Sequence, residues 1–141
     1  MIWKVLAPAI GAVLFLATPH QAAAQTISFE EAYDRISQSC GADIRKYCAG
    51  VPLGGGAVKA CLDAKQSVVS ASCNATLSEV FTLIQKRMQA QASVRQICDA
   101  DIARRCPGVV QHEGFVLSCM LKATRVVSAP CNQAITDAGW R

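Results

Sequence analysis

Cysteine has the widest range of chemistry of any residue type here, and the 141-residue chain contains eight of them. The stretch CGADIRKYC, residues 40–48, returns as CDADIARRC, residues 98–106. Two cysteines held eight positions apart could bind a metal ion, form a redox couple or supply half of a disulfide staple. The rest of the sequence has to decide among these three uses.

Zinc binding and thioredoxin-like redox chemistry are not supported by the spacing. Both normally use closely spaced ligands such as C-x-x-C, which the sequence lacks, and His112 is the one histidine after the first 24 residues. We therefore predict no cofactor. Reduced cysteines assisted by Met88 and Met120 could still capture Cu(I), which prefers thiolate and thioether ligands. A periplasmic thiol-based copper or redox protein stays open as the alternative.

Catalytic groups are as scarce as metal ligands. A Ser-His-Asp or Cys-His arrangement would depend on His112 alone. His112 falls in a loop of the second half of the chain, and Gly54 stands at the corresponding place in the first half. We find no enzyme signature and predict that the protein has no catalytic residues.

An internal repeat sets the positions of the cysteines. Short runs such as Ala42-Asp43-Ile44 and Val68-Val69-Ser70-Ala71 recur 58 residues later, and the gaps between cysteines are the same in both halves. Such a fixed offset indicates one structural unit written twice. We define unit 1 as residues 25–85 and unit 2 as residues 86–141. The repeated cysteines are Cys40, Cys48, Cys61 and Cys73 in unit 1, and Cys98, Cys106, Cys119 and Cys131 in unit 2.

The apolar residues of each unit recur at helical spacing. A stripe from Phe29 to Cys48 predicts a first helix of about five turns, opened by the capping box Ser28-Phe29-Glu30-Glu31. A glycine-rich loop at residues 50–56 precedes a second helix, which carries residues 58–69 and ends before Cys73.

A third helix is predicted to begin at a second capping box, residues 76–79, and to continue to Cys106, because residues 85–93 contain neither glycine nor proline. The two units would then share one long central helix. The second return helix covers roughly residues 115–128 and is stopped by Pro130. We predict an all-α protein made of two disulfide-stapled helical hairpins in tandem.

Helix geometry favours the disulfide staple. Residues eight apart on a helix lie about 12 Å apart along its axis, whereas a disulfide needs Cα atoms within about 7 Å. Each cysteine must therefore find its partner on the returning helix. Antiparallel arms predict nested pairs: Cys48–Cys61 inside Cys40–Cys73, and Cys106–Cys119 inside Cys98–Cys131.

The first 24 residues have the pattern of a secretory signal peptide. Lys4 precedes an uncharged run of 13 residues, shorter than the roughly 20 that span a bilayer. Ala22-Ala23-Ala24 is a small-residue cleavage site. We predict that residues 1–24 are removed, that no transmembrane segment remains, and that the protein is periplasmic or secreted, where disulfides persist.

Positive charge is concentrated in unit 2, which holds eight basic and four acidic side chains against five and six in unit 1. Such charge could attract an anionic glycan, another envelope component or an acidic protein surface, and an ordinary solvated face is the alternative. Nucleic acid is not expected, given export and the modest net charge. The candidate residues are Lys86, Arg87, Arg95, Arg104, Arg105, Lys122 and Arg125.

The repeated aspartates of the cysteine motif could be ligands or acids. We favour ion pairs three residues along the helix, from Asp43 to Lys46 and from Asp101 to Arg104. Such pairs stabilise an exposed helix by a few tenths of a kcal/mol each, so they imply no chemistry.

The motif C40-GA-D43-I44-RKY-C48, with Gly50, C61-L62, S70-AS-C73 and their second copies, resembles a known repeat. It is similar to the cysteine-rich repeat of the Golgi apparatus sialoglycoprotein, also described as a cysteine-rich fibroblast growth factor receptor. The resemblance covers roughly residues 29–138. It implies a helical, disulfide-bonded module of the extracytoplasmic space; the large family member carries many repeats and binds growth factors and selectin.

This chain would be a small, bacterial-type exported member of that family with two repeats. We expect an exported, non-enzymatic cysteine-rich repeat protein that serves as a binding or structural module of the cell envelope. Its partner would be a protein or an anionic glycan of the envelope.

Overall fold

The computed structural model describes residues 24–110 and 112–141, except for the side chain of Glu113. This part of the chain contains α-helices and no β-strand, so the predicted all-α class is confirmed. The predicted signal peptide lies outside the described residues apart from Ala24. The helices are α1 (Phe29–Tyr47), α2 (Ala57–Ala64), α3 (Ala71–Arg105), α4 (Glu113–Lys122) and α5 (Ala129–Asp137).

The long central helix shared by the two units is confirmed. α3 has 35 residues and is therefore about 52 Å long. Its start differs from the prediction. The Ser70 hydroxyl accepts a hydrogen bond from the backbone N–H of Cys73 and acts as the N-cap. The capping box predicted at residues 76–79 consequently lies inside α3, and no helix begins there.

Both return helices end earlier than predicted, and unit 2 contains a further helix, α5, that was not predicted. α2 ends at Ala64, and a turn at residues 65–69 separates it from α3, so Val68 and Val69 are not helical. In unit 2 a turn at residues 123–127 separates α4 from α5. Pro130 lies in the first turn of α5 instead of ending a helix, because first-turn N–H groups have no intrahelical partner to lose.

α1 and α5 run antiparallel to α3, one along each half, and their ends meet beside its middle. There the Arg87 guanidinium donates to the backbone carbonyls of Ile27 at 3.4 Å and Gly139 at 3.3 Å. The backbone N–H of Gln25 donates to the Asp137 carboxylate at 2.6 Å. We call this meeting point, residues 25–27, 87 and 137–139, the junction. It ties both ends of the described chain to the central helix.

Buried apolar side chains form three small clusters in the described chain. One lies in unit 2 and is built around Met120 and Ile135. Another lies in unit 1 around Leu62 and Leu77, and the third, which includes Ile27, lies near the junction. The two larger clusters incorporate cysteines. Cores of this size are marginal by themselves, so cross-links contribute substantially to stability.

Candidate functional site

All four predicted disulfides are present. The fourth cysteine of each unit lies on the helix that follows the return turn, on α3 or α5, which the predicted hairpin did not foresee. The outer bonds therefore join α1 to α3 in unit 1 and α3 to α5 in unit 2, and the inner bonds close the loop end of each unit. The Cα–Cα distances are 4.7 Å for Cys40–Cys73, 6.1 Å for Cys48–Cys61, 4.9 Å for Cys98–Cys131 and 6.1 Å for Cys106–Cys119.

Sulfur in the described structure is bonded and mostly buried. None of the cysteines is free. Met120 is 2% exposed, and its sulfur lies 3.6 Å from that of Cys106, whereas Met88 is 58% exposed on α3. The described residues contain no group of three or more His, Cys, Asp or Glu side chains able to hold a metal ion. The structure does not bring the two methionines together with a thiolate.

His112 is exposed at the N-cap position of α4 and makes no side-chain capping hydrogen bond. Within the described part of the chain, its imidazole has no hydrogen-bonded or ion-paired side chain. A general base needs hydrogen-bond reach to the proton it removes and an orienting partner. The surroundings described for His112 provide neither a nucleophile nor such a partner.

The repeated aspartates fasten the start of the next helix, a role that the sequence analysis missed. Asp43 Oδ2 accepts hydrogen bonds from the Ser70 hydroxyl at 2.6 Å and from the Ser70 backbone N–H at 3.3 Å. Asp101 and Ser128 repeat this arrangement at 2.5 Å and 3.2 Å. The signal was in the sequence, because both serines recur at the repeat offset with their aspartates. These bonds link each N-cap serine to the preceding long arm.

The predicted ion pairs of the aspartates are found in one unit. Arg104 lies 3.5 Å from Asp101, whereas Asp43 and Lys46 do not form any ion pair seen in the described residues. Asp101 is 4% exposed. The hydroxyl hydrogen bond from Ser128 outweighs the effect of burial and, with Arg104 nearby, lowers the pKa of Asp101. Its ionised form is therefore part of the folded structure.

The asparagine that follows the fourth cysteine holds the return turn closed. The Asn74 side-chain amide donates to the backbone carbonyls of Gln66 at 3.0 Å and Val69 at 3.2 Å. Asn132 donates to the two corresponding carbonyls of unit 2, both at 3.0 Å. Each unit thus repeats two disulfides, an Asp–Ser bond and an Asn–turn bond, which we call the framework.

Arg87, one of the predicted basic residues, belongs to the junction. Its guanidinium is engaged by two backbone carbonyls and lies 5.8 Å from the centre of the Phe29 ring. The side chain is half-buried. Its position makes Arg87 a structural residue that holds the chain ends on α3.

The other predicted basic residues are exposed and spread along unit 2. Lys86 lies about 27 Å along α3 from Arg104, since 18 residues separate them. Arg104 and Arg105 occupy the last turn of α3, where positive charge offsets the helix dipole. The inner disulfide of unit 2 brings the end of α4 near this turn. Arg95 lies between these positions, Lys122 ends α4, and Arg125 is in the turn that follows.

A half-open groove of about 460 Å³ lies in unit 1 between α1, α2 and α3. Leu62 and Leu77 are buried at its floor, and its edges carry Arg45 and Lys59. This volume is within the range of about 300–1,000 Å³ typical of small-molecule sites. No local sequence pattern indicates the groove, because its lining comes from three helices that only the fold brings together.

Four disulfides are typical of an extracytoplasmic or otherwise oxidising compartment. The helices described for this chain include none with both the length and the apolar character needed to cross a membrane. Comparison with family models, curated proteins and solved structures found no match. The membership suggested by the cysteine motif therefore stays a prediction.

Proposed function

We propose that this chain is an exported, non-enzymatic module of the cell envelope that binds an anionic partner through unit 2. The observation that carries the proposal is the use of all eight cysteines in four repeated disulfides. Sulfur committed to cross-links stabilises a scaffold and leaves no thiolate for metal or redox chemistry. The resemblance to an extracytoplasmic cysteine-rich repeat supports the same class of protein, and the periplasm or the medium is the proposed location.

Exposed cations at the far end of α3 are the proposed binding surface. We call Arg104, Arg105, Lys122 and Arg125 the basic end. Among the described residues, no ion pair engages Arg105, Lys122 or Arg125, and Arg104 has its one contact with Asp101 at 3.5 Å. Clustered positive charge of this kind attracts anionic surfaces, and salt screens the attraction.

Retention of envelope components on the immobilised protein tests the proposal. The variant Arg105→Gln/Lys122→Gln removes two charges of the basic end, and Lys46→Gln/Lys65→Gln removes two exposed charges from unit 1 as a matched control. We expect the unmodified protein to retain components of an envelope extract, or to be retained on heparin, and this retention should fall in high salt. Of the two variants, only Arg105→Gln/Lys122→Gln should show weaker retention. Equal losses in both variants, or no retention by the unmodified protein, would count against the proposal.

Thiol labelling separates this proposal from the copper alternative. Protein taken from its native compartment is alkylated before and after reduction and weighed by mass spectrometry. We expect no label before reduction and eight labels after it, because each cysteine is bonded. Any cysteine that labels before reduction would revive thiolate chemistry.

A further inference from the structure

The groove of unit 1 has chemistry that unit 2 does not repeat. The framework residues are the same in both units, but the side chains that give the groove its charge and its aromatic walls have no chemical equivalent at the repeat offset. Arg45 aligns with Ala103, Lys59 with Leu117, Tyr33 with Gln91, and Phe81 with Gly139.

The floor and walls of the groove are apolar. Leu62 is fully buried, and Ile36, Ile44 and Val58 pack against the same cluster while lining the groove. At the rim, Leu53 is 87% exposed. A hydrocarbon chain laid along this surface would remove these side chains from water, which is favourable through the hydrophobic effect.

Arg45 places a cation at the edge of the apolar surface. No hydrogen bond or ion pair of the described residues engages its guanidinium, whereas Lys59 pairs with Asp63 and lies 4.9 Å from the centre of the Phe81 ring. A guanidinium offers a planar pair of donors that matches the two oxygens of a carboxylate. The groove therefore combines an apolar bed with one uncommitted carboxylate-binding group.

Gly41 keeps the space beside Arg45 open. Glycine inside a helix is destabilising relative to alanine, so its position in the middle of α1 has an energetic cost. A Cβ at Gly41 would meet one neighbour, the Arg45 guanidinium, at 3.4 Å. Unit 2 has Asp99 at the position that corresponds to Gly41, so the equivalent surface of unit 2 carries a negative charge there.

We propose that the groove binds a fatty acid of about twelve carbons, with the acyl chain along the apolar floor and the carboxylate on Arg45. The volume of about 460 Å³ suits a small ligand, whereas a stable protein partner needs about 800 Å² of contact on each side. The proposal is separate from the anionic partner of unit 2, because it uses different residues on a different unit. Either can fail without the other.

Titration calorimetry with laurate, below its micelle concentration, tests the proposal on the purified chain with its four disulfides intact. We expect saturable binding at one site. Dodecyltrimethylammonium has the same chain length and the opposite charge, and should bind about tenfold more weakly or worse, because Arg45 would repel it. Equal binding of the two amphiphiles would show hydrophobic adsorption alone and would overturn the proposal.

Two pairs of variants locate the site. Arg45→Gln should weaken laurate binding about tenfold, and the neighbouring exposed Lys46→Gln should leave it unchanged. Gly41→Leu should fill the groove and abolish binding, whereas Ala42→Leu, one position along α1 and outside the lining, should not. Thermal unfolding confirms that each variant is folded. Unchanged binding in Gly41→Leu overturns the proposal, as does binding of a lysophospholipid where laurate does not bind, or dimerisation of the chain through the groove.

Discussion

Units 1 and 2 have the same framework but differ in how completely the space inside it is filled. In unit 2, Leu117 packs against the core cluster, and Asp101 is 4% exposed. In unit 1, Lys59 stands at the position of Leu117, the equivalent Asp43 is half-buried, and a groove remains open. The repeated bonds therefore set the arrangement of the helices, and the side chains between them are free to differ.

Removing an outer disulfide is expected to have the largest effect and to affect the two units unequally. Cys40→Ala/Cys73→Ala and Cys98→Ala/Cys131→Ala each delete a bond with a sequence separation of 33. The loss should be on the order of 3–4 kcal/mol in either case. Unit 1 should lose more hydrogen-exchange protection, because an open groove adjoins its buried cluster around Leu62. Urea unfolding measures the loss of stability, and hydrogen-exchange mass spectrometry measures the loss of protection in each unit. Equal loss of protection in the two units would contradict the expected difference between them.

Truncating the central core residue of each unit should have the next largest effect. Leu62 is 0% and Met120 is 2% exposed, and such truncations typically cost about 2–5 kcal/mol. We expect Leu62→Ala to cost about 1 kcal/mol less than Met120→Ala, because the open groove beside Leu62 leaves the site freer to collapse. The free energies of unfolding in urea test this order. A larger cost for Leu62→Ala would mean that the groove is packed more rigidly than its shape suggests.

Alanine at Gly139 should weaken the junction that couples the two units. Gly139 and Gly108 have φ values of 72° and 76°, so alanine at either site costs about 1 kcal/mol for the left-handed backbone. A Cβ at Gly139 would also clash with the Arg87 guanidinium, whereas none is obstructed at Gly108. Gly139→Ala should therefore lower the melting temperature more than the control Gly108→Ala. Equal shifts would mean that the Arg87 contacts contribute little.

The smallest expected effect is a pH dependence in unit 2. The lowered folded-state pKa of Asp101 means that its ionised form contributes stability above the unfolded-state pKa of about 3.9. This contribution is lost as the pH falls through the folded-state value. The melting temperature of Asp101→Asn should therefore fall less steeply than that of the unmodified protein as the pH is lowered below about 4. If the melting temperature of Asp101→Asn falls as steeply at low pH as that of the unmodified protein, the acid sensitivity comes from other carboxylates. The variant Asp43→Asn is the equivalent substitution in unit 1.

The sequence predicted the disulfides and the shared helix well because both follow from local rules. Cysteines eight apart on one helix cannot reach each other, so nested pairing across antiparallel arms was the arrangement that helix geometry favoured. The boundary errors have a common cause. Ser70 and Ser128 are N-caps that begin new helices, and the apolar stripe continues through the turns before them. Periodicity alone therefore extended both return helices into these turns, began α3 too late and missed α5.

The candidate sites were less predictable than the scaffold. Seven basic residues of unit 2 were singled out by charge, but only the fold shows that Arg87 is engaged at the junction while Arg105 and Lys122 remain exposed. Charge counts give no information on what each guanidinium contacts. The groove of unit 1 was missed altogether, because Tyr33, Lys59 and Phe81 belong to three different helices.

The order of residues alone therefore determined the helical class and the cysteine partners, since these depend on spacing along one chain and on the fixed rise of a helix. Tertiary structure decided what the remaining side chains do. Asp43 became the acceptor for a serine 27 residues away, and a glycine in α1 became part of an open surface. Such roles depend on distances between elements, which are set by packing and are not written in any local pattern.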